Sequence, residues 1–168
     1  LQMTRIVVTG AAGRMGGRII TLVTETEGLE VSGAVEMAGH PKIGQDAGYV
    51  AGCGDLDVMI GDSLEEALAT ADLLIDFTFP QVSLRNAAIC ASLGKAMVVG
   101  STGFTPDERR QLEGYAEKTP IVFAPNMSVG VNVCFKLLKD LAKTLGDGFD
   151  VEIVELHHNK KKDSPSGT

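Results

Sequence analysis

Positive charge, histidine, cysteine and long apolar runs are all scarce in this sequence of 168 residues. Lysine and arginine together number 15 against 22 acidic residues, a formal net charge of -7. With no net positive field to attract polyanions, neither a nucleic-acid partner nor an anionic membrane surface is expected. The longest apolar stretches, such as "VEIVEL" and "AMVVG", fall far short of the roughly 20 residues that cross a bilayer. No membrane span is therefore expected, and the first residues carry no signal-peptide pattern. The three cysteines, Cys53, Cys90 and Cys134, are odd in number and widely spaced. They form neither a disulfide framework nor a zinc pattern, and a reducing cytoplasm is the compartment that fits. Of the three histidines, His157 and His158 are adjacent and His40 is remote. Without a third ligand at suitable spacing, no metal is expected.

Glycine, in contrast, is abundant, with 20 residues, many beside short apolar runs. That placement suggests strand-to-loop turns where backbone approaches a ligand or another element. The runs "RIVVTG", "LEVSGAVE", "VMIG", "DLLIDFTF", "AMVVG" and "PIVFAP" read as strands. Between them, "RMGGRIITLVTE", "SLEEALATA", "QVSLRNAAICASLG" and "TPDERRQLEGYAEK" have the spacing of amphipathic helices. Ser63 with Glu66 is expected to form a capping box, Gly94 a helix stop, and Thr105-Pro106 a helix start. Residues 38–56 lack clear periodicity and are expected to be a long loop or small excursion. Alternating strands and helices up to about residue 124 predict a parallel sheet covered on both faces. A domain junction is placed near residues 125–130. After it, Cys134, Leu137, Leu138, Leu141 and Leu145 make one helical stripe, and "GDGFDVEIVELHH" is expected to turn from that helix into a strand.

"VVTGAAGRMGGR" spaces Gly10, Gly13 and Gly16 between a predicted strand and a predicted helix. A Cβ in that turn would keep a diphosphate from the amides at the positive end of the helix, so the spacing points to dinucleotide binding. A plain turn with glycine for packing shows the same spacing. Glu36 closes the second strand 20 residues after Gly16, where a carboxylate can accept from ribose hydroxyls and repel a 2'-phosphate. Met37 follows it rather than an arginine, so NADH is expected to be bound at least as well as NADPH. An exposed glutamate at a strand end is the bland alternative. Three further loops, "DFTFP", "GSTGF" and "APNMSVG", fall at predicted strand ends on the same edge. Each would let a flat ring approach backbone, although any one could be an ordinary turn and Asp76 could simply cap structure.

The segment "ELHHNKKKDSPSGT" places a proton donor, cations and an anion-gripping "SPSGT" turn within residues 155–168. Strand alternation would set His157 and His158 on opposite faces, whereas a helical turn would stack His157 on Lys161. Together these groups suit a dicarboxylate ligand. A solvated lysine face and an unstructured tail are the competing readings.

This segment resembles the E-x-H-H-x-x-K-x-D-x-P-S-G-T signature of the 4-hydroxy-tetrahydrodipicolinate reductase family of lysine and diaminopimelate synthesis. "VTGAAGRMG", "DFT", "GSTGF" and "APNMSVGVN" match its other motifs in order. The resemblance implies reduction of 4-hydroxy-tetrahydrodipicolinate with NADH or NADPH. It implies His157 as proton donor and Lys161 as the second catalytic group. His158, Ser166, Gly167 and Thr168 would contact substrate. Gly10, Ala11, Ala12, Gly13, Arg14, Met15, Glu36, Gly100, Ser101, Thr102, Ala124, Pro125, Asn126 and Met127 would hold the cofactor. Members that favour NADPH carry basic residues where Met37 and Phe79 stand here, and an alanine is usual at Ser164. The implied fold is α/β: a Rossmann-type doubly wound parallel sheet over residues 1–128, then the start of an α+β mixed-sheet substrate domain over residues 129–168, where the sequence is truncated. A cytoplasmic homotetramer is implied as well. The alternatives are another NAD-dependent imine or carbonyl reductase and a non-catalytic NAD-binding sensor.

Overall fold

The computed structural model describes residues 3–154 and 156. It divides into two compact units, Leu1–Phe123 and Ala124–Thr168. In the first unit, β1 (Thr4–Thr9), β2 (Leu29–Val35), β3 (Ile60–Gly61), β4 (Leu73–Asp76), β5 (Ala96–Val99) and β6 (Ile121–Phe123) form one sheet in the order β3-β2-β1-β4-β5-β6. Every pairing is parallel, which is the order of a doubly wound nucleotide-binding sheet. The crossovers run through α1 (Arg14–Glu25), α2 (Ala47–Ala51), α3 (Leu64–Leu68), α4 (Pro80–Leu93) and α5 (Pro106–Ala116).

Two apolar layers sandwich the sheet. Ile6 and Val8 of β1 meet Ile19, Ile20 and Val23 of α1 on one face. Val7 points the other way, with Leu74, Met97 and Val99, towards Leu64, Leu68, Ala87, Cys90 and Leu112 of α3, α4 and α5. Full burial of each such side chain contributes about 1.5–3 kcal/mol. On β2 the alternation shifts by one residue: Ile6 pairs with Val31 but Val7 with Gly33. This irregularity puts Val31 and Ala34 on the same face despite their odd spacing.

Helix boundaries follow local chemistry. Thr105 and Glu108 form a complete capping box ahead of α5, and Gly94 ends α4 at φ 64°. At α3, the Ser63 hydroxyl accepts from the Glu66 N–H at 3.3 Å, but the reciprocal bond expected of a capping box is not formed there.

The stretch over residues 38–56 is more ordered than its sequence predicts, because it contains α2. Asp46 explains this. Only 7% exposed, its carboxylate accepts from the N–H groups of Tyr49 at 2.9 Å, Leu56 at 3.3 Å and Val58 at 3.0 Å. One side chain thus caps a helix and ties together backbone that has no ladder of its own.

The second unit contains α6 (Val129–Leu145) and a short 3-10 helix, Gly146–Gly148. Ser128 caps α6 by accepting from Val131 N–H at 3.4 Å. The strand predicted after it is not present among the described residues: residues 151–154 and 156 have no regular structure. A strand exists only as part of a ladder, and none of these residues is paired into one.

Two outcomes test this account. Burial would raise the Asp46 pKa, but the backbone donors of Tyr49, Val58, Leu56 and Gly48 hold it below its ordinary value of 3.8. A depressed carboxylate stabilises the fold at pH values above its unfolded pKa, and that contribution fades as pH falls through the folded value. Asp46→Ala should therefore lower the melting temperature at pH 7, with the gap to the parent protein closing below about pH 4; circular dichroism melts across pH check this. Separately, a Cβ on Gly16 would run into the Gly10 carbonyl and the Ala11 backbone. Gly16→Ala should cost about 1–3 kcal/mol in urea unfolding.

Candidate functional site

Because all six strands are parallel, their carboxyl ends share one edge of the sheet. The chain leaves β1 towards α1 on one face and leaves β4 towards α4 on the other. The loops that follow those adjacent strands diverge, and a crevice at such a switch point is where an open α/β sheet binds ligands.

The loop after β1 is built for close approach. Gly10 has φ 64°, Gly13 N–H donates to the Gly10 carbonyl at 2.9 Å, and Ala11 N–H donates to Val35 at 3.3 Å. Gly13 caps α1 without any side-chain bond, and no acidic residue occupies the first turn. The first-turn N–H groups, which a helix cannot satisfy internally, are left with a favourable field for an anion. Gly13, Arg14 and Met15 are exposed there, and Arg14 and Arg18 flank an open depression of about 440 Å³.

Glu36 is tied to the same loop. One carboxylate oxygen accepts from Ala12 N–H at 3.0 Å and the other from Met37 N–H at 3.1 Å. The structure therefore brings Gly10, Ala11, Ala12, Gly13, Arg14, Met15 and Glu36 together, as the sequence predicts. Met37 and Phe79, 73% and 71% exposed, stand on the loops after β2 and β4, the two strands that flank β1.

The loop after β5 is different in kind. Gly100 N–H donates to the Asp76 carbonyl at 2.9 Å, and a Cβ on Gly100 would run into the Phe77 ring. Thr102 is exposed, but Ser101 is only 3% exposed. Its hydroxyl lies 2.8 Å from that of Ser83 and 3.4 Å from an Asp76 carboxylate oxygen. Of the predicted group Gly100, Ser101 and Thr102, the middle side chain thus faces inward.

Asp76 itself is fully buried. It accepts from Thr78 N–H at 2.9 Å, Thr78 hydroxyl at 2.6 Å, Ser83 hydroxyl at 3.2 Å and Asn86 amide at 2.7 Å. Ser83 and Asn86 are the residues that sequence reasoning missed. Their signal was a polar pair on the buried stripe of α4, Ser83, Asn86, Ala87 and Cys90, where apolar residues are the rule. Burial, then the negative charge of Asp76, push the Cys90 thiol up to about 12, which keeps it un-ionised and unreactive near neutrality.

Ala124, Pro125, Asn126 and Met127 belong to the second unit. There the Asn126 side-chain oxygen accepts from Ser128 N–H at 2.8 Å, and Asn132 donates to the Asn126 carbonyl at 3.0 Å. The predicted residues His157, His158, Lys161, Ser166, Gly167 and Thr168 lie outside the described residues. Among the described residues no group of three or more His, Cys, Asp or Glu could hold a metal ion, and no helix is long and apolar enough to cross a membrane.

Comparison with known proteins places this geometry. Residues 4–127 match the family described as "Dihydrodipicolinate reductase, N-terminus", and residues 130–168 match "Dihydrodipicolinate reductase, C-terminus". The 4-hydroxy-tetrahydrodipicolinate reductase of Syntrophotalea carbinolica is 64% identical over 99% of this chain and 62% of its own length; that of Geotalea daltonii is 63% identical over the same shares. The chain thus spans about 62% of the length of these curated relatives. Among solved structures, a dipicolinate-bound dihydrodipicolinate reductase from Paenisporosarcina sp. TG-14 superimposes with a TM-score of 0.71 at 27% identity, covering 99% of this chain and 62% of that one. A myo-inositol 2-dehydrogenase from Lactobacillus plantarum shares the fold alone, with a TM-score of 0.61 at 12% identity over 83% of this chain and 42% of its own. Tandem family matches along nearly the whole chain, on a sheet edge of this construction, mean that it belongs to the dihydrodipicolinate reductase family.

Proposed function

We propose that this chain is the nucleotide-binding domain, residues 1–128, and the beginning of the substrate domain, residues 129–168, of a 4-hydroxy-tetrahydrodipicolinate reductase. The observation that carries the cofactor half is the Glu36 carboxylate bonded to Ala12 N–H beside the start of α1, where the N-cap Gly13 makes no side-chain bond. That arrangement offers backbone donors to a diphosphate and a carboxylate to a ribose. The substrate half is supported by the names of relatives at 61–64% identity whose alignments span 99% of this chain. The dipicolinate in the Paenisporosarcina structure supports a dicarboxylate ligand.

Bound at this edge, a reduced nicotinamide supplies hydride. Gly10 to Met15 receive the diphosphate and Glu36 the adenosine ribose, while Gly100 to Thr102 and Ala124 to Met127 contact the remainder. His157 gives the proton that accompanies reduction of the substrate ring, and Lys161 assists departure of the hydroxyl as water. One hydride and one proton enter, and one water leaves. His158, Ser166, Gly167 and Thr168 hold the substrate carboxylates. The Glu36 carboxylate and the apolar Met37 and Phe79 support good use of NADH, since none of these side chains pairs with a 2'-phosphate. A cytoplasmic homotetramer completes the reading, on the strength of the family resemblance.

Oxidation of NADH and NADPH with freshly generated substrate, in the full natural chain, tests the assignment. His157→Gln should lower kcat by about 100-fold or more while the Kd for NADH stays within about twofold. Loss of cofactor binding without a specific loss of turnover would count against the proton-donor role, and pyridine-2,6-dicarboxylate should compete with substrate. Joint replacement of Met37 and Phe79 by arginine should lower the KM for NADPH by about tenfold; no gain would show that the 2'-phosphate lies elsewhere.

A further inference from the structure

Apart from Ser101, the buried Asp76 network has no part in the chemistry just described. Its position is nevertheless specific. The carboxylate collects donors from its own loop through Thr78, from α4 through Ser83 and Asn86, and from the loop after β5 through Ser101. No buried side-chain polar atom among the described residues is left without a partner, so the network is closed. A simple cap would need the first of these segments only.

The loop after β5 is held at both ends. Ser101 is fixed by Ser83 and Asp76, and Phe104, 7% exposed, packs edge-on against Phe123 with ring centroids 5.0 Å apart. Between these two anchors Thr102 and Gly103 are exposed at the edge. Glu36 assigns the adenosine side of a dinucleotide to the β2 half of the sheet. The nicotinamide side then falls on the other half, past the switch point, over the loop that follows β5. Asp76 joins that loop to the end of β4 and to α4.

We propose that Asp76 is a positioning residue for the nicotinamide half of the cofactor: through Ser83, Asn86 and Ser101 it fixes the surface on which that ring lies, without touching it. This rests on the cofactor reading above. A buried carboxylate suits the task because its donors cannot relax away without leaving a charge unpaired in the interior, which makes the loop geometry stiff.

The test compares NADH with ADP-ribose, which has the adenosine, diphosphate and second ribose but no nicotinamide. Kd values are measured by fluorescence for NADH and by calorimetry for ADP-ribose, on the full natural chain. Asp76→Asn replaces one acceptor with a donor that faces the Asn86 donor, and should weaken NADH about tenfold while ADP-ribose changes by less than about twofold. The double variant Asp76→Asn with Asn86→Asp restores donor to acceptor and should recover most of the NADH affinity. Should Asp76→Asn fail to fold, Ser101→Ala gives the same comparison with a smaller disturbance and the same expected selectivity. Equal losses for both ligands, or no loss for either, would overturn the positioning role. If the parent protein bound neither ligand, the cofactor reading would fall and this inference with it; binding of both makes the result bear on Asp76 alone.

Discussion

A carboxylate at the end of β4, shut off from water, can persist only where donors surround it, and that requirement organises the sheet edge. Desolvating such a group costs several kcal/mol, which four well-placed donors from Thr78, Ser83 and Asn86 offset. Each donor must come from a defined place. Thr78 makes the loop after β4 turn back on the strand end, and Ser83 and Asn86, one helical turn apart, fix the rotation of α4 about its axis. Ser101 then registers the next loop against both. The apolar layer below, with Leu74, Ala87 and Cys90, tolerates small shifts of α4; the polar layer above it does not. Hydrophobic burial holds this face together, and the Asp76 network selects one arrangement of it.

The split between what was legible in the sequence and what was not follows the range of the interactions. Helix ends written in neighbouring residues, such as Thr105 with Glu108 or Gly94, were readable because cause and effect lie within one turn. Strands were readable as short apolar runs between helical patterns, and the glycine loop from its spacing. Asp46 was not, because partners at positions 49, 56 and 58 have no common period. Ser83 and Asn86 were missed for a related reason. They look like ordinary helix residues until the βα crossover folds them over Asp76, and nothing in the strand marks that carboxylate as buried. The strand expected after α6 is not seen at residues 151–154 and 156, because alternation marks a face but a strand needs a partner in a ladder.

Net charge and local field also part company here. A chain of charge -7 offers no long-range attraction to a dinucleotide, which is itself anionic. Cofactor binding as proposed would then rest on short-range donors, namely backbone amides at the start of α1, with Arg14 and Arg18 nearby. Such donors act over only a few ångströms and depend on the backbone approaching closely, so the steric demands at Gly10 and Gly16 are electrostatic demands in another form. In the proposed site Glu36, bonded to Ala12 N–H just before that helix, would limit how much negative charge is accepted. A diphosphate would be met by dipoles, whereas an added 2'-phosphate would meet a carboxylate.

In the proposed enzyme this arrangement makes binding and turnover separable. Most of the groups assigned to the cofactor lie within Leu1–Phe123, on loops fixed by the two buried layers and the Asp76 network. The proton donor and the substrate contacts are carried by residues 157–168, in a different sequence context with its own charge pattern. A rigid edge suits the first task, because a nicotinamide must be presented on one face whatever the substrate. The second task requires a group that titrates near neutrality and cations that pair with carboxylates. Building the two on separate parts of the chain keeps each property from constraining the other: the loops after β4 and β5 can be stiff without making the acid stiff as well.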